Sequence, residues 1–310
     1  MPAQIFDFLR FLTRTRSQER HDLQAAAELD WARARYEPQL PAGLSLEWLG
    51  TSGFALRCAG YTLLIDPYVT RVPLATALGR ERVRPDQALI DRYLPRADAI
   101  LIGHTHFDHA LDAPAVARRD GCSVYGSRSL VNLMAARGMA EQAVEVEVYR
   151  EYELGPFRVS FVPSVHSKLA LGLAVPSSGD ITCEHVDGLA CSEYRCGQVY
   201  GLAITVEGFT IYHQGSADLI EDAVRHRDVD LFLAGIAGRG FTDDFIGRAI
   251  RSFRPKVVLP HHHDNFFIGL DDPLRMSLNV NLCAFVEEVR AASRGVELIT
   301  AERLRELSAS

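Results

Sequence analysis

The sequence is poor in the features that mark several large classes of protein. Its six cysteines (58, 122, 183, 191, 196 and 283) are sparse for 310 residues and include no Cys-x-x-Cys pair, which argues against a disulfide framework and suits a reducing compartment. No apolar run approaches the roughly 20 residues needed to span a bilayer. The opening residues, Met-Pro-Ala-Gln-Ile-Phe-Asp-Phe-Leu-Arg-Phe-Leu, lack a basic start and a small-residue cleavage site, and Asp7 and Arg10 interrupt their apolar stretch, so they do not read as a signal peptide. A soluble, cytoplasmic protein without an integral membrane segment is the expectation. A basic excess is missing too: 33 Lys and Arg stand against 40 Asp and Glu, a net charge of -7, so nothing favours nucleic acid as the main partner. What is there, 47% apolar residues over 310 positions, is ample for a sizeable core.

The chain is organised around Leu101 to Asp112, which reads Leu-Ile-Gly-His-Thr-His-Phe-Asp-His-Ala-Leu-Asp. His104, His106, Asp108 and His109 form a His-x-His-x-Asp-His string directly after the apolar run Ala99 to Ile102. Neutral imidazole and ionised carboxylate are the usual borderline-hard ligands for zinc, iron and manganese. A strand that breaks into a loop aims such side chains at one point, whereas a helix would scatter them. His104 and His106, two apart, share a face of an extended segment, and Asp108 and His109, past the turn, can reach a second ion beside the first. The bland alternative is a solvated polar loop.

The string resembles the signature of the metallo-beta-lactamase superfamily, and the likeness extends in order over roughly residues 44–265. Leu46 to Phe54 (Leu-Glu-Trp-Leu-Gly-Thr-Ser-Gly-Phe), followed by Leu63-Leu64-Ile65-Asp66-Pro67, is similar to the opening strands of the branch that includes L-ascorbate-6-phosphate lactonase and N-acyl-phosphatidylethanolamine phospholipase D. Pro163-Ser164-Val165-His166 and Pro260-His261-His262 stand where that branch places its third and last histidines. The resemblance implies an α/β chain of the α+β type folded as a four-layer αββα sandwich. It further implies His104, His106 and His166 around one metal, and Asp108, His109 and His262 around a second. Asp66 resembles the family aspartate that orients a ligand histidine; a turn-capping aspartate is the plainer reading. By the same register His261 and His263 point the opposite way, toward solvent or substrate.

One departure matters. After His213-Gln214-Gly215 the family has the aspartate that bridges the two metals, and this chain has Ser216, a neutral hydroxyl and a poor substitute. Three explanations stand: a single-metal site, a dinuclear site completed by Asp218 or by Glu184 or His185, and a degenerate site. His213 itself reads equally as ligand or as support for one.

The periodicity divides the chain into an N-terminal helical extension and linker over 1–43 and one domain over 44–310. Residues 3–36 carry helical periodicity, with Ile5, Phe6, Leu9 and Leu12 on one face. This segment packs on the core, pairs two copies of the chain in a homo-oligomer, or lies on a membrane surface with Phe6, Phe8 and Phe11 inserted and Arg14 and Arg16 near phosphates. Strands are expected at 44–49, 53–58, 61–66, 97–102, 123–126, 144–148, 157–162, 200–206, 210–213, 230–234 and 256–259. Helices are expected at 86–94, from Asp112 onward with Pro114 in the first turn, and at 127–137, 242–253 capped by Thr242, 276–292 and 301–307. The loop 67–85 offers Arg71, Arg80, Arg82 and Arg84 either to an anionic substrate or to solvent. Residues 176–197, rich in Ser, Gly, Cys and acidic side chains, read as a lid or insertion with free cysteines; Cys183, His185, Cys191 and Cys196 match no zinc-ribbon spacing.

These residues point to a hydrolase in which one or two metal ions, zinc first and manganese or iron as alternatives, lower the pKa of a bound water and polarise the substrate. With a single ion, Asp108 is free to act as general base. A lactone or phosphoester of a small organic molecule is the expected substrate. A non-catalytic metal-binding or sensing protein is the alternative, and di-iron redox chemistry is disfavoured by the scarcity of carboxylates.

Overall fold

A computed structural model of the chain describes residues 16–33, 40–168, 174–277 and 280–308. Helix α1 (Arg16–Glu28) precedes a meander of β1 (Ser45–Gly50), β2 (Gly53–Cys58) and β3 (Tyr61–Ile65). Apolar residues alternate along these strands: Leu46, Trp48, Phe54, Leu56, Leu63 and Ile65 face one core, and Ala55 and Leu64 face another. A period of two splits a strand in this way only when both faces of its sheet are covered. There follow α2 (Leu74–Ala77), β4 (Arg82–Val83), α3 (Gln87–Tyr93), β5 (Ala99–Leu101), α4 (Phe107–Ala110), α5 (Ala113–Asp120), β6 (Ser123–Gly126), α6 (Arg128–Ala136) and β7 (Ala143–Glu145). The second half contains β8 (Glu151–Leu154), β9 (Phe157–Ser164), β10 (Leu189–Ala190), β11 (Val199–Val206), β12 (Phe209–Gln214), β13 (Leu231–Gly235), α7 (Phe245–Phe253), β14 (Val257–His261), α8 (Leu282–Ala292), β15 (Glu297–Leu298) and β16 (Glu306–Ser308).

Two seven-stranded sheets result, in the orders β16-β1-β2-β3-β5-β6-β7 and β15-β14-β13-β12-β11-β9-β8. In each, an antiparallel portion runs into a parallel one, starting at β3–β5 in the first sheet and at β12–β13 in the second. The sheets bury their inner faces against each other, with Phe157, Phe161, Leu202, Ile204 and Leu233 meeting the β1–β3 side chains. Ile90, Val116, Leu130 and Leu133 from α3, α5 and α6 cover the outer face of the first sheet. Phe245, Ile250, Phe253, Phe285 and Val289 from α7 and α8 cover the second. The architecture is the four-layer αββα sandwich. No helix among the described residues is long and apolar enough to cross a membrane.

Helix α1 lies on α8: Asp22 is buried and accepts from the Cys283 amide (3.1 Å), and Glu19 pairs with Arg275 (2.8 Å). Packing on the core thus accounts for residues 16–28, while Ile5, Phe6, Phe8, Leu9, Phe11, Leu12 and Arg14 lie outside the described residues.

Several boundaries differ from expectation. Strand β8 was hidden by its Glu-Tyr-Glu-Leu pattern, whose outer positions are exposed. Helix α7 starts at Phe245 behind Asp244, with Thr242 in the preceding turn. Helix α8 starts at Leu282 because Asn281 accepts from the Ala284 amide (3.0 Å). Strand β14 is not the last, and the expected helix at 301–307 gives way to β16. Leu307 there pairs with Leu46 and is buried at the free edge of β1, a tertiary demand that overrides local propensity.

Segment 176–197 is packed at its anchoring residues, while 178–180, 182–184 and 186–187 are exposed. β10 pairs with β4, and Ile181, Leu189, Cys191, Tyr194 and Cys196 are buried. Burial pushes the Cys191 and Cys196 thiols up to about 12, so both stay protonated.

Candidate metal centre

The side chains of interest gather where strands of both sheets end, at the edge where open α/β sheets usually present their sites. Past β5 the chain is held by Gly103, whose amide donates to Asp66 Oδ1 (2.8 Å), and by Thr105, whose amide donates to the Cys196 carbonyl (2.9 Å). His106 then opens the single turn α4, which carries Asp108 and His109. β9 delivers His166, and β14 delivers His262. His262 adopts φ +59°, and its amide is held by the Thr51 carbonyl (2.8 Å).

Two donor groups form. In the first, His104, His106 and His166 each offer a ring nitrogen, all within 4.8 Å of one another. His104 Nε2 faces His106 Nδ1 at 3.1 Å; His106 Nε2 bonds the Pro176 carbonyl (2.9 Å), and His166 Nδ1 bonds the Ser167 carbonyl (2.7 Å). The two carbonyl bonds fix the His106 and His166 rings and leave the other nitrogen of each toward the centre. In the second group Asp108, His109 and His262 converge within the same limit. Asp108 Oδ2 lies 3.2 Å from His262 Nε2 and 3.8 Å from His109 Nε2, and His109 Nδ1 donates to Asp66 Oδ2 (2.7 Å). The His104 and His109 rings, with centroids 3.8 Å apart, join the groups.

The electrostatics suit a cation. Burial drives the imidazoles toward neutrality: His104 well below the usual histidine value, His106 below it, and His166 down to about 3. Burial alone would raise Asp108, but His109 and His262 outweigh it and hold the carboxylate below its ordinary range. For His109, burial opposes the charged form, and Asp66 and Asp108 outweigh it. The buried Nδ1 atoms of His104 and His262 have no hydrogen-bond partner. Buried imidazole nitrogens and an ionised carboxylate, crowded at one point, fit a divalent first-row metal ion.

Other residues singled out by the sequence lie elsewhere. Ser216 Oγ accepts the Ser167 amide (2.9 Å), so it ties the His166 loop to the end of β12. Asp218 pairs with Arg248 (3.0 Å); Glu184 is exposed and His185 half-buried, and none of the three belongs to either group. His213 bonds the Ser52 carbonyl through Nε2 (2.9 Å) and stacks on His261 (4.7 Å between centroids). His261 and His263 reach neither solvent nor cleft: both are buried, His261 because β14 is an inner strand covered on both faces, and His263, past the left-handed turn at His262, against Trp48 at 4.6 Å. Arg71 is unavailable to substrate, being buried in an ion pair with Asp264 (2.9 Å); Arg80, Arg82 and Arg84 are exposed and do not line the cleft.

Sequence reasoning missed Asp264. Its Oδ1 accepts the Thr51 amide (2.8 Å) and its Oδ2 meets Arg71, which bolts the β1–β2 turn to the loop after His262. Gly50 is the only local signal: at φ +90°, a Cβ there would sit 1.9 Å from Arg71 Nη2. A cleft of about 360 Å³ opens above both donor groups.

The family profile described as the beta-lactamase superfamily domain matches residues 45–262. A UPF0173 metal-dependent hydrolase of Anaeromyxobacter dehalogenans is 31% identical over 245 residues, covering 74% of this chain and 79% of that protein. One from Carboxydothermus hydrogenoformans is 27% identical over 228 residues, covering 72% and 86%. Among solved structures, Igni18, a metallo hydrolase of Ignicoccus hospitalis, superposes with a TM-score of 0.57 at 19% identity, covering 85% of this chain and 97% of its own.

Proposed function

The chain belongs to the metallo-beta-lactamase superfamily, and from that premise we propose that it is a metal-dependent hydrolase acting on a lactone or phosphoester bond of a small organic molecule. The observation that carries this reading is the pair of three-residue donor groups at the floor of one cleft. His104, His106 and His166 would hold one ion and Asp108, His109 and His262 a second, with zinc the first choice and manganese or iron compatible with the same donors. Such an ion lowers the pKa of bound water to about neutrality and withdraws charge from a substrate oxygen. Asp66 keeps the His109 proton on Nδ1, so that Nε2 faces the site with its lone pair. Asp108, ionised at neutral pH, is placed to accept a proton at Oδ2 whenever the second ion is absent.

Ser216 favours a second reading. It supplies no carboxylate, and its hydroxyl is engaged with Ser167, so a metal-binding protein without turnover has a specific basis. Elemental analysis of protein purified without added metal, followed by assays on lactone, phosphodiester, thioester and lactam panels, separates the two. We expect one or two ions per chain and turnover of the first or second class. Turnover confined to thioesters or lactams overturns the substrate reading, and bound metal without any turnover favours the second.

A further inference from the structure

The cleft has two unlike sides. His106, Asp108, His166 and His262 line its floor, and Phe107, Phe266 and Phe267 form a wall beside them. The Phe266 and Phe267 centroids are 4.3 Å apart, each lies 6.4 Å from Phe107, and Phe266 meets the His262 ring at 5.3 Å. All three phenylalanines are only half-buried. The wall is continuous with the metal centre by construction. Phe107 opens the turn that carries Asp108 and His109, and the other two follow His262 by four and five residues. At the mouth, Leu78 is 80% exposed, a large apolar side chain left in water at the rim of a concave site, which is the kind of exposure that calls for an explanation.

Counter-charge is lacking on that wall. No lysine or arginine lines the cleft among the described residues. Arg71 is held by Asp264, while Arg80, Arg82, Arg84 and Lys168 are exposed and do not line it. An anionic group distal to the reacting bond would lose hydration there without a partner, whereas hydrocarbon would gain by leaving water. A volume of about 360 Å³ matches the lower range of small-molecule sites.

Resting on the hydrolase reading, we infer that the substrate carries an uncharged apolar arm, an alkyl or aryl group of several carbons, which packs on Phe107, Phe266 and Phe267 beside the bond that is cleaved. Two experiments test it together. Metal-loaded protein is assayed on γ-lactones with side chains of one, four and eight carbons, on alkyl p-nitrophenyl phosphates of the same lengths, and on analogues whose chain ends in a carboxylate. Metal-stripped protein is titrated with the neutral fluorescent probe N-phenyl-1-naphthylamine. For whichever class turns over, kcat/KM should rise about threefold to fourfold per methylene over the first carbons, and the terminal carboxylate should remove that gain. The probe should bind wild type and be displaced by the eight-carbon compound. F267D and the surface variant L78E should each weaken it at least fivefold while circular dichroism stays unchanged. A flat chain-length series, a preference for the carboxylate, or probe binding insensitive to both substitutions overturns the apolar arm. Absence of turnover on every compound overturns the lactone-or-phosphoester reading instead, and the probe titration still decides whether the wall takes hydrocarbon.

Discussion

Asp66 uses both carboxylate oxygens, one on the Gly103 amide and the other on His109 Nδ1, and it does so from a left-handed backbone conformation at φ +42°. A non-glycine residue held there is over-determined by its surroundings. Asp66→Asn should keep the fold and lower metal affinity by about 10- to 100-fold, read by competition against a chelator of known affinity. Ser216→Ala should act differently: loss of the acceptor for the buried Ser167 amide costs about 1–3 kcal/mol in denaturant melts, with metal content per chain unchanged. The crowding of His104, His106, Asp108 and His109 was legible because four donors fall within six consecutive positions. The partnerships of Asp264 with Thr51 and of His213 with Ser52 were not, because they span 213 and 161 residues and leave no local pattern.

Among elements, the loop β1–β2, the Arg71 loop and the segment after β14 depend on one ion pair whose side chains are 1% and 0% exposed. Removing the Asp264 charge leaves the buried Arg71 guanidinium without its carboxylate, and Arg303, 3.9 Å from Asp264, loses the same partner. Asp264→Asn should therefore destabilise the protein by about 3–5 kcal/mol, measured by urea unfolding, and loosen His262 enough to lower occupancy of the second donor group. Gly50→Ala should act in the same direction, since its Cβ meets Arg71 at 1.9 Å at a positive φ. Inner strands were legible in the sequence through alternation and apolar runs. Of the edge strands, β7 was expected at 144–148, whereas β8, β15 and β16 were not: β8 and β16 owe their form to a neighbour's free edge, and 301–307 carries a helical pattern that this edge overrides.

For the whole molecule, acid should be the weakness of the metal-free protein. Burial lowers His213 and His263 to about 4, so between pH 6.5 and about 4 the unfolded chain binds protons that the folded chain does not. Their contribution is full above pH 6.5 and is lost as pH falls through that window, by about 1.4 kcal/mol per pH unit for each histidine. His104, His106 and His166 act in the same sense. Asp112, pushed up to about 6 by burial, and His109, raised by Asp66 and Asp108 against its own burial, act in the opposite one. The lowered histidines outnumber them, so urea midpoints should fall from pH 7 to pH 5. The placement of the donors carries a last consequence. His104, His106, Asp108 and His109 extend from the first sheet and His166 and His262 from the second, so each donor group draws on both. An ion in either group would therefore clamp the two halves of the sandwich and act on the unfolded chain as a reversible staple, closing loops of dozens of residues or more. Chelation should then lower the melting temperature and, in hydrogen exchange, deprotect strands of both sheets together, though the metal touches only their ends.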